Sequence, residues 1–259
     1  YYEYFRSHVG GNMSAGDEQM KQLLAIGESG AASLEGRGVS TAGGDDVARM
    51  DLVRKTLTGM GEYELALGVA RGKLRLAGAG GEGRLDAMLE AGELARQAKK
   101  YDVAEPLLVG ARDAWTRELG EEHEKTLKAA SELAVVFDET GRTEEAEALF
   151  RATYDARKKK LGEDHPDTLK SANTRALLLY NAGRTEEAET LYRATYDARK
   201  KKLGEDHPDT LDSANNLASL LENTDRTEEA EALYRATYDA RKKKLGEDHP
   251  DTLDSANNL

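Results

Sequence analysis

Four histidines, His123, His165, His207 and His249, recur at intervals of 42 residues, and imidazole is a common ligand for zinc. A zinc site needs every ligand to reach one ion at about 2.0–2.1 Å. Side chains that appear once per 42 residues, each just ahead of a helix start, would stand about 10 Å apart if those helices pack side by side. Capping of the following helix, for which Asp164 or His165 could serve in the 161 unit, or loop packing before Pro166, Pro208 and Pro250 is therefore their expected role, and no metal is expected. Gly78-Ala79-Gly80-Gly81-Glu82-Gly83 satisfies the dinucleotide pattern G-x-G-x-x-G, with Asp102 about 20 residues on. That chemistry needs a buried strand before the glycines. The preceding Arg71-Gly72-Lys73-Leu74-Arg75-Leu76 puts charges where Val or Ile would stand, so these glycines are expected to form a connector and no cofactor is expected. The lysine runs Lys158–Lys160, Lys200–Lys202 and Lys242–Lys244 could face an anionic surface. Acidic residues follow each run, and the negative end of a helix attracts such lysines anyway.

Composition removes other classes. The chain has 259 residues and no Cys, which excludes thiolate catalysis, disulfide scaffolds and Cys-based zinc sites. With 37 basic against 49 acidic residues, its net charge of −12 argues against nucleic acid. No Ser-His-Asp arrangement, Walker lysine motif or paired-carboxylate setting stands out, so no catalytic residue is assigned and the chain is read as non-enzymatic. The first residues lack the apolar run of a secretory signal, and no run is long enough for a membrane span. A cytoplasmic location is expected, and the Asn12-Met13-Ser14 sequon stands alone.

Self-similarity places these residues. LGEDHPDTL occurs at Leu161–Leu169, Leu203–Leu211 and Leu245–Leu253, with the looser LGEEHEKTL at Leu119–Leu127. Between the markers stand GRTEEAEALFRATYDARKKK from Gly141 and close copies from Gly183 and Asp225. Lys99–Leu108 keeps the phase one period earlier, and Gly61–Leu67 is an eroded copy spaced by 38. Each unit reads as two antiparallel helices. The first runs from about Pro166 to Asn181, with Pro166 in the first turn, where its missing N–H has no partner to lose. Leu169, Ala172, Ala176 and Leu179 form its apolar face. Gly183 supplies a left-handed stop. The second helix is expected to begin at Thr185, an N-cap residue type, with Glu186 and Glu187 in its positive first turn and Lys200–Lys202 at its negative end. Phe150, Tyr192 and Tyr234, and likewise Tyr154, Tyr196 and Tyr238, are expected in the core.

The spacing Ala-x11-Ala-x3-Tyr with Gly in the turn resembles the tetratricopeptide repeat. The period of 42, with LGEDHPDTL, SANNLA, GRTEEAE and LYRATYDAR in order, is similar to the kinesin-light-chain type of that repeat. The resemblance implies an all-α, right-handed superhelical solenoid of antiparallel helix pairs. It covers 119–259, as units 119–160, 161–202 and 203–244 with a truncated 245–259, and reaches in divergent form over 45–118. Residues 1–44 are a Gly-rich segment with one short helical candidate near Gly16–Ala25. Tyr1 stands where an initiator Met would, and the last unit stops inside its first helix, so a piece of a longer chain is expected.

In such a solenoid the first helices line a concave face, where the resemblance implies binding of partner peptides. The candidates are Lys170, Asn173, Thr174, Leu177, Tyr180 and Asn181 in one unit and Asp212, Asn215, Asn216, Ser219, Glu222 and Asn223 in the next. One unit back the set is Lys128, Ser131, Glu132, Val135, Asp138 and Glu139, and the last unit offers Asp254, Asn257 and Asn258. An Asn amide carries both donor and acceptor, so a ladder of Asn can pair with a peptide backbone of any sequence. The resemblance assigns that role to Asn-Asn-Leu-Ala, which Asn215–Ala218 matches fully. Asn173-Thr174-Arg175-Ala176 keeps the first Asn and the Ala, while Ser131–Ala134 has neither Asn. These amides could instead join neighbouring helices. The 161 unit has 8 basic and 7 acidic residues, the 203 unit 6 and 10. A partner peptide with basic and apolar residues is therefore expected at the C-terminal groove. A kinesin-light-chain-like cargo adaptor, which would carry an upstream heptad coiled coil, and the sensor arm of a larger signalling protein are the other readings.

Overall fold

The computed structural model describes residues 44–77 and 82–259. The candidate helix near Gly16–Ala25, the Asn12 sequon and Gly78–Gly81 lie outside them. Among the described residues all regular structure is helical: α1 (Gly44–Gly59), α2 (Tyr63–Leu76), α3 (Glu82–Gln97), α4 (Tyr101–Leu119), α5 (Glu124–Glu139), α6 (Thr143–Leu161), α7 (Pro166–Asn181), α8 (Thr185–Leu203), α9 (Pro208–Glu222), α10 (Thr227–Leu245) and α11 (Pro250–Asn257). Consecutive helices pack as antiparallel pairs, and the described residues fall into two compact units that divide between Val136 and Phe137. The period of 42 is kept by the helices. Tyr101, Thr143, Thr185 and Thr227 each open a helix of 19 residues.

The first helices α5, α7, α9 and α11 each begin on a histidine. His165 has extended backbone, and its Nδ1 accepts the Asp167 N–H at 3.2 Å while Pro166 fills the first turn. His207 and His249 repeat this with Asp209 and Asp251, and His123 caps Lys125 at 3.3 Å without a proline. Accepting at Nδ1 places the proton of the neutral ring on Nε2. The recurrence of His is thus a helix-start device. Among the described residues, no group of three or more His, Asp or Glu side chains could hold a metal ion.

The turn between paired helices uses one left-handed residue. Gly183 has φ 75°, and the Arg184 N–H reaches back to the Leu179 carbonyl at 2.8 Å, the Schellman closure. Gly141 has φ 78°, but the same place is held by Lys99 at 57° and Asp225 at 60°. The expected Thr185 cap is not made. Arg184 is the cap residue, it contributes no side-chain cap bond, and Thr185 is already helical. The closure from the preceding helix leaves Arg184 free to pair with Glu147 and Glu187 instead.

In the second unit the core runs through Ala176, Leu179, Ala188, Tyr192, Leu217, Ala218, Leu220, Leu221, Ala230 and Tyr234. Ala176 and Ala188 are fully buried, so small side chains let α7 and α8 cross closely. Phe150, Tyr192 and Tyr234 are buried as expected. Tyr154, Tyr196 and Tyr238 are only half-buried, and a lysine ammonium lies over each ring at 5.9, 5.8 and 5.5 Å. Those lysines, Lys158, Lys200 and Lys242, also pair with Glu163, Glu205 and Glu247. The first lysine of each run is therefore occupied by its own unit.

Candidate functional site

Three first helices of the second unit, α7, α9 and α11, carry the candidate residues. The apolar stripe that buries Leu169, Ala172, Ala176 and Leu179 turns the other side of α7 outward. Lys170 and Asn181 are exposed, Leu177 is 48% exposed, and Asn173, Thr174 and Tyr180 are half-buried. On α9 Asn215, Asn216 and Ser219 are half-buried, while Asp212, Glu222 and Asn223 are exposed. Asp254, Asn257 and Asn258 are exposed at the last helix.

The asparagines meet across helices with an offset of 43 residues, one more than the period. Asn216 Nδ2 donates to Asn173 Oδ1 at 3.2 Å, and Asn258 Nδ2 donates to Asn215 Oδ1 at 3.0 Å. The second Asn of each unit thus reaches the first Asn of the unit before it. This explains why Thr174 does not break the first rung: that rung needs only the acceptor of Asn173. Each rung uses one N–H and one oxygen site, while an amide offers two N–H donors and a carbonyl with two lone pairs. These two rungs, one between α7 and α9 and one between α9 and α11, make up an amide strip with hydrogen-bonding capacity to spare.

The other candidates divide. Asp212 accepts from Arg241 Nη2 at 2.6 Å, and Glu222 accepts from the Tyr234 hydroxyl at 3.2 Å. Burial, then the Glu222 carboxylate, pushes the Tyr234 phenol up, and burial pushes up Tyr192; Tyr234 stays the protonated donor to Glu222. Asn223 turns back to the Ser219 carbonyl of its own helix at 2.7 Å, so it joins no rung. Arg175 occupies the place of buried Leu217, and its guanidinium lies 5.6 Å from the Tyr154 ring. In the first unit the corresponding surface is tied by ions. Lys128 pairs with Glu93 at 2.7 Å and Glu132 with Arg96 at 3.0 Å. Burial raises the Glu93 carboxyl despite Lys128 beside it.

A second periodic group was not read from the sequence. Arg199 is 9% exposed, and its Nη1 donates to Ser213 Oγ at 2.8 Å and to the Asp209 carbonyl at 2.9 Å. Arg157 bonds Ser171 at 2.7 Å, and Arg241 bonds Ser255 at 2.8 Å. Each arginine at the end of a second helix thus holds the next first helix from inside. One period earlier both positions change together, to buried Trp115 and buried Ala129. The signal was present as Arg and Ser recurring 14 residues apart in three copies.

Among the described residues, no helix is long and apolar enough to cross a membrane. Four overlapping stretches, residues 84–159, 141–201, 167–243 and 209–259, match the tetratricopeptide repeat. No curated protein matches the sequence. A solved Podosopora anserina protein named for kinesin light chain, with nearly identical TPR-like repeats, aligns at TM-score 0.66 and 21% identity, over 76% of this chain and 95% of its own. BtubC (BKLC) from P. vanneervenii aligns at TM-score 0.67 and 17% identity, over 92% and 95%. The Rap conjugation gene regulator of the plasmid pLS20, solved in complex with the Phr peptide, aligns at TM-score 0.63 and 15% identity, over 78% and 55%. At these identities the likeness is one of fold.

Proposed function

Because the chain belongs to the tetratricopeptide repeat family, we propose that it is a non-enzymatic interaction module that holds an extended partner peptide along α7, α9 and α11. The observation that carries this reading is the amide strip of Asn173, Asn216, Asn215 and Asn258. A peptide backbone presents alternating N–H and C=O groups, and amides spaced along a groove can pair with them whatever the side chains are. Leu177, half-exposed, and Tyr180, half-buried, supply apolar contact on the same surface. Asp254 and Glu222 leave it acidic, since Asp212 is answered by Arg241. A partner with basic and apolar residues fits that balance. The pLS20 Rap regulator, which shares the fold, was solved with a peptide bound, and this supports the reading.

The test is the double substitution Asn215→Ala with Asn216→Ala. It should weaken capture of partner peptides about tenfold or more, as expected for the loss of a few buried-groove hydrogen bonds, while the helical circular dichroism and its urea midpoint change little. Unchanged affinity in a folded variant would remove the groove assignment.

A further inference from the structure

In the second unit, neighbouring turns between paired helices are tied by arginine. Arg184, ahead of α8, pairs with Glu147 of α6 and with Glu187 of its own helix; Arg226, ahead of α10, pairs likewise with Glu189 and Glu229. The first unit changes these partners. Glu62 stands at the arginine's place ahead of α2 and Lys100 ahead of α4, while Leu65 and Leu67 take the places of the two carboxylates on α2. The tie between Lys100 and Glu64, at 2.8 Å, joins two exposed side chains. A cavity of about 260 Å³ opens here between the two turns, lined by Glu62, Tyr63 and Leu65 from one and by Gln97, Ala98 and Lys99 from the other. Lys99 has φ 57° at the place where Gly61, Gly141 and Gly183 stand, a backbone that lysine rarely adopts, and it brings an ammonium to the cavity. Glu62 brings a half-buried carboxylate. Among the described residues neither charge has an ion-pair partner.

We propose that this cavity is a binding site for a free aliphatic α-amino acid of the size of leucine. The ligand's carboxylate meets the Lys99 ammonium, its ammonium meets the Glu62 carboxylate, and its side chain lies along Leu65. An α-amino acid carries both charges on one carbon, so it answers both residues at once, which a simple anion or cation does not. Tyr63 and Gln97 add a hydroxyl and a carboxamide to the lining. The volume holds roughly nine water-sized groups at about 30 Å³ each, enough for leucine. The second unit fills the corresponding places with its Arg–Glu pairs, so the site belongs to the first unit and is independent of the amide strip.

Leucine and two analogues test this: N-acetylleucine, which lacks the ammonium, and leucinamide, which lacks the carboxylate. Titrations followed by the amide resonances of residues 61–65 and 97–99 should show saturable binding of leucine, about tenfold or more tighter than either analogue, as expected for one charge-assisted contact. Lys99→Gly keeps the left-handed turn with the residue found at Gly141 and Gly183. It should weaken leucine about tenfold and leave leucinamide unchanged. Glu62→Gln should weaken leucine by a similar factor and leave N-acetylleucine unchanged. If leucine gives no saturable shift at these residues, or if both analogues bind as tightly as leucine, the site is wrong. If either substitution leaves the affinity for leucine unchanged, the charges do not meet as assigned and the proposal falls.

Discussion

Replacing Arg199 by Met removes the buried cation and keeps most of its stem, so the cost separates into terms the geometry supplies. Two charge-assisted hydrogen bonds are lost, to Ser213 Oγ at 2.8 Å and to the Asp209 carbonyl at 2.9 Å. Such bonds contribute about 1.5–3 kcal/mol each. Against them stands the desolvation of the guanidinium. Burial outweighs the attraction of Asp209 and Asp212 and holds its pKa below the usual arginine value, a penalty of several kcal/mol that the variant no longer carries. The groups left behind are not orphaned, because Ser213 Oγ still donates to the Asp209 carbonyl at 3.1 Å. The net loss is therefore small, about 1 kcal/mol. Ser213→Ala alone leaves the cation with the carbonyl only, and should cost about 1–2 kcal/mol. The two substitutions together should fall short of their sum by about 1 kcal/mol. Urea unfolding followed by circular dichroism reads each step as a midpoint shift of about 0.5 M per kcal/mol, for a slope near 2 kcal/mol per molar. Stacked repeats unfold by neighbours, so hydrogen exchange of α9 amides should localise the change. A loss above about 4 kcal/mol for Arg199→Met, or strict additivity in the cycle, would refute the balance drawn here.

Gly204 has φ 94° and ψ 163°, a region that a side chain enters only under strain, although nothing lies within 4 Å to clash. Gly204→Ala should therefore cost about 1–3 kcal/mol of stability from the backbone itself, measured by urea midpoint. Gly183→Asp, which copies Asp225, should cost less, because Asp tolerates the left-handed region. The Glu189 carboxyl is held below its usual range, first by Arg193 and then by Arg226. As pH falls, the unfolded chain takes up that proton first, so stability present above the ordinary glutamate value of 4.5 is lost as pH drops below it. Acid unfolding of Glu189→Gln should show a shallower slope over that range than the parent.

Helix positions were legible because three independent signals coincide in the 161 and 203 units: a His before Pro, an apolar stripe and a turn residue that is left-handed in the structure. Where a signal has a substitute, the reading slipped. Thr185 has the chemistry of a cap, but the Schellman closure from α7 sets the entry angle first, and Arg184 takes the cap position. Tyr196 sits at a helical position that reaches only the edge of the core, where Lys200 covers it. The recurrence of the asparagines was legible, and so was the alternative that their amides join neighbouring helices, as two pairs do. The partners were not, since an offset of 43 emerges only when adjacent helices are packed. The Arg199–Ser213 pair was hidden for a related reason: an arginine in a lysine-rich helix end reads as solvated until the next helix closes over it.

The proposed pairing of peptide backbone with the amide strip is tested most directly by a nuclear magnetic resonance titration with a short basic and apolar peptide, observing asparagine side-chain amides. Saturable shifts are expected at Asn173, Asn215, Asn216 and Asn258, with Asn223 and the second helices α8 and α10 little changed. Saturable binding that shifts α8 and α10 and leaves those four amides where they were would contradict it.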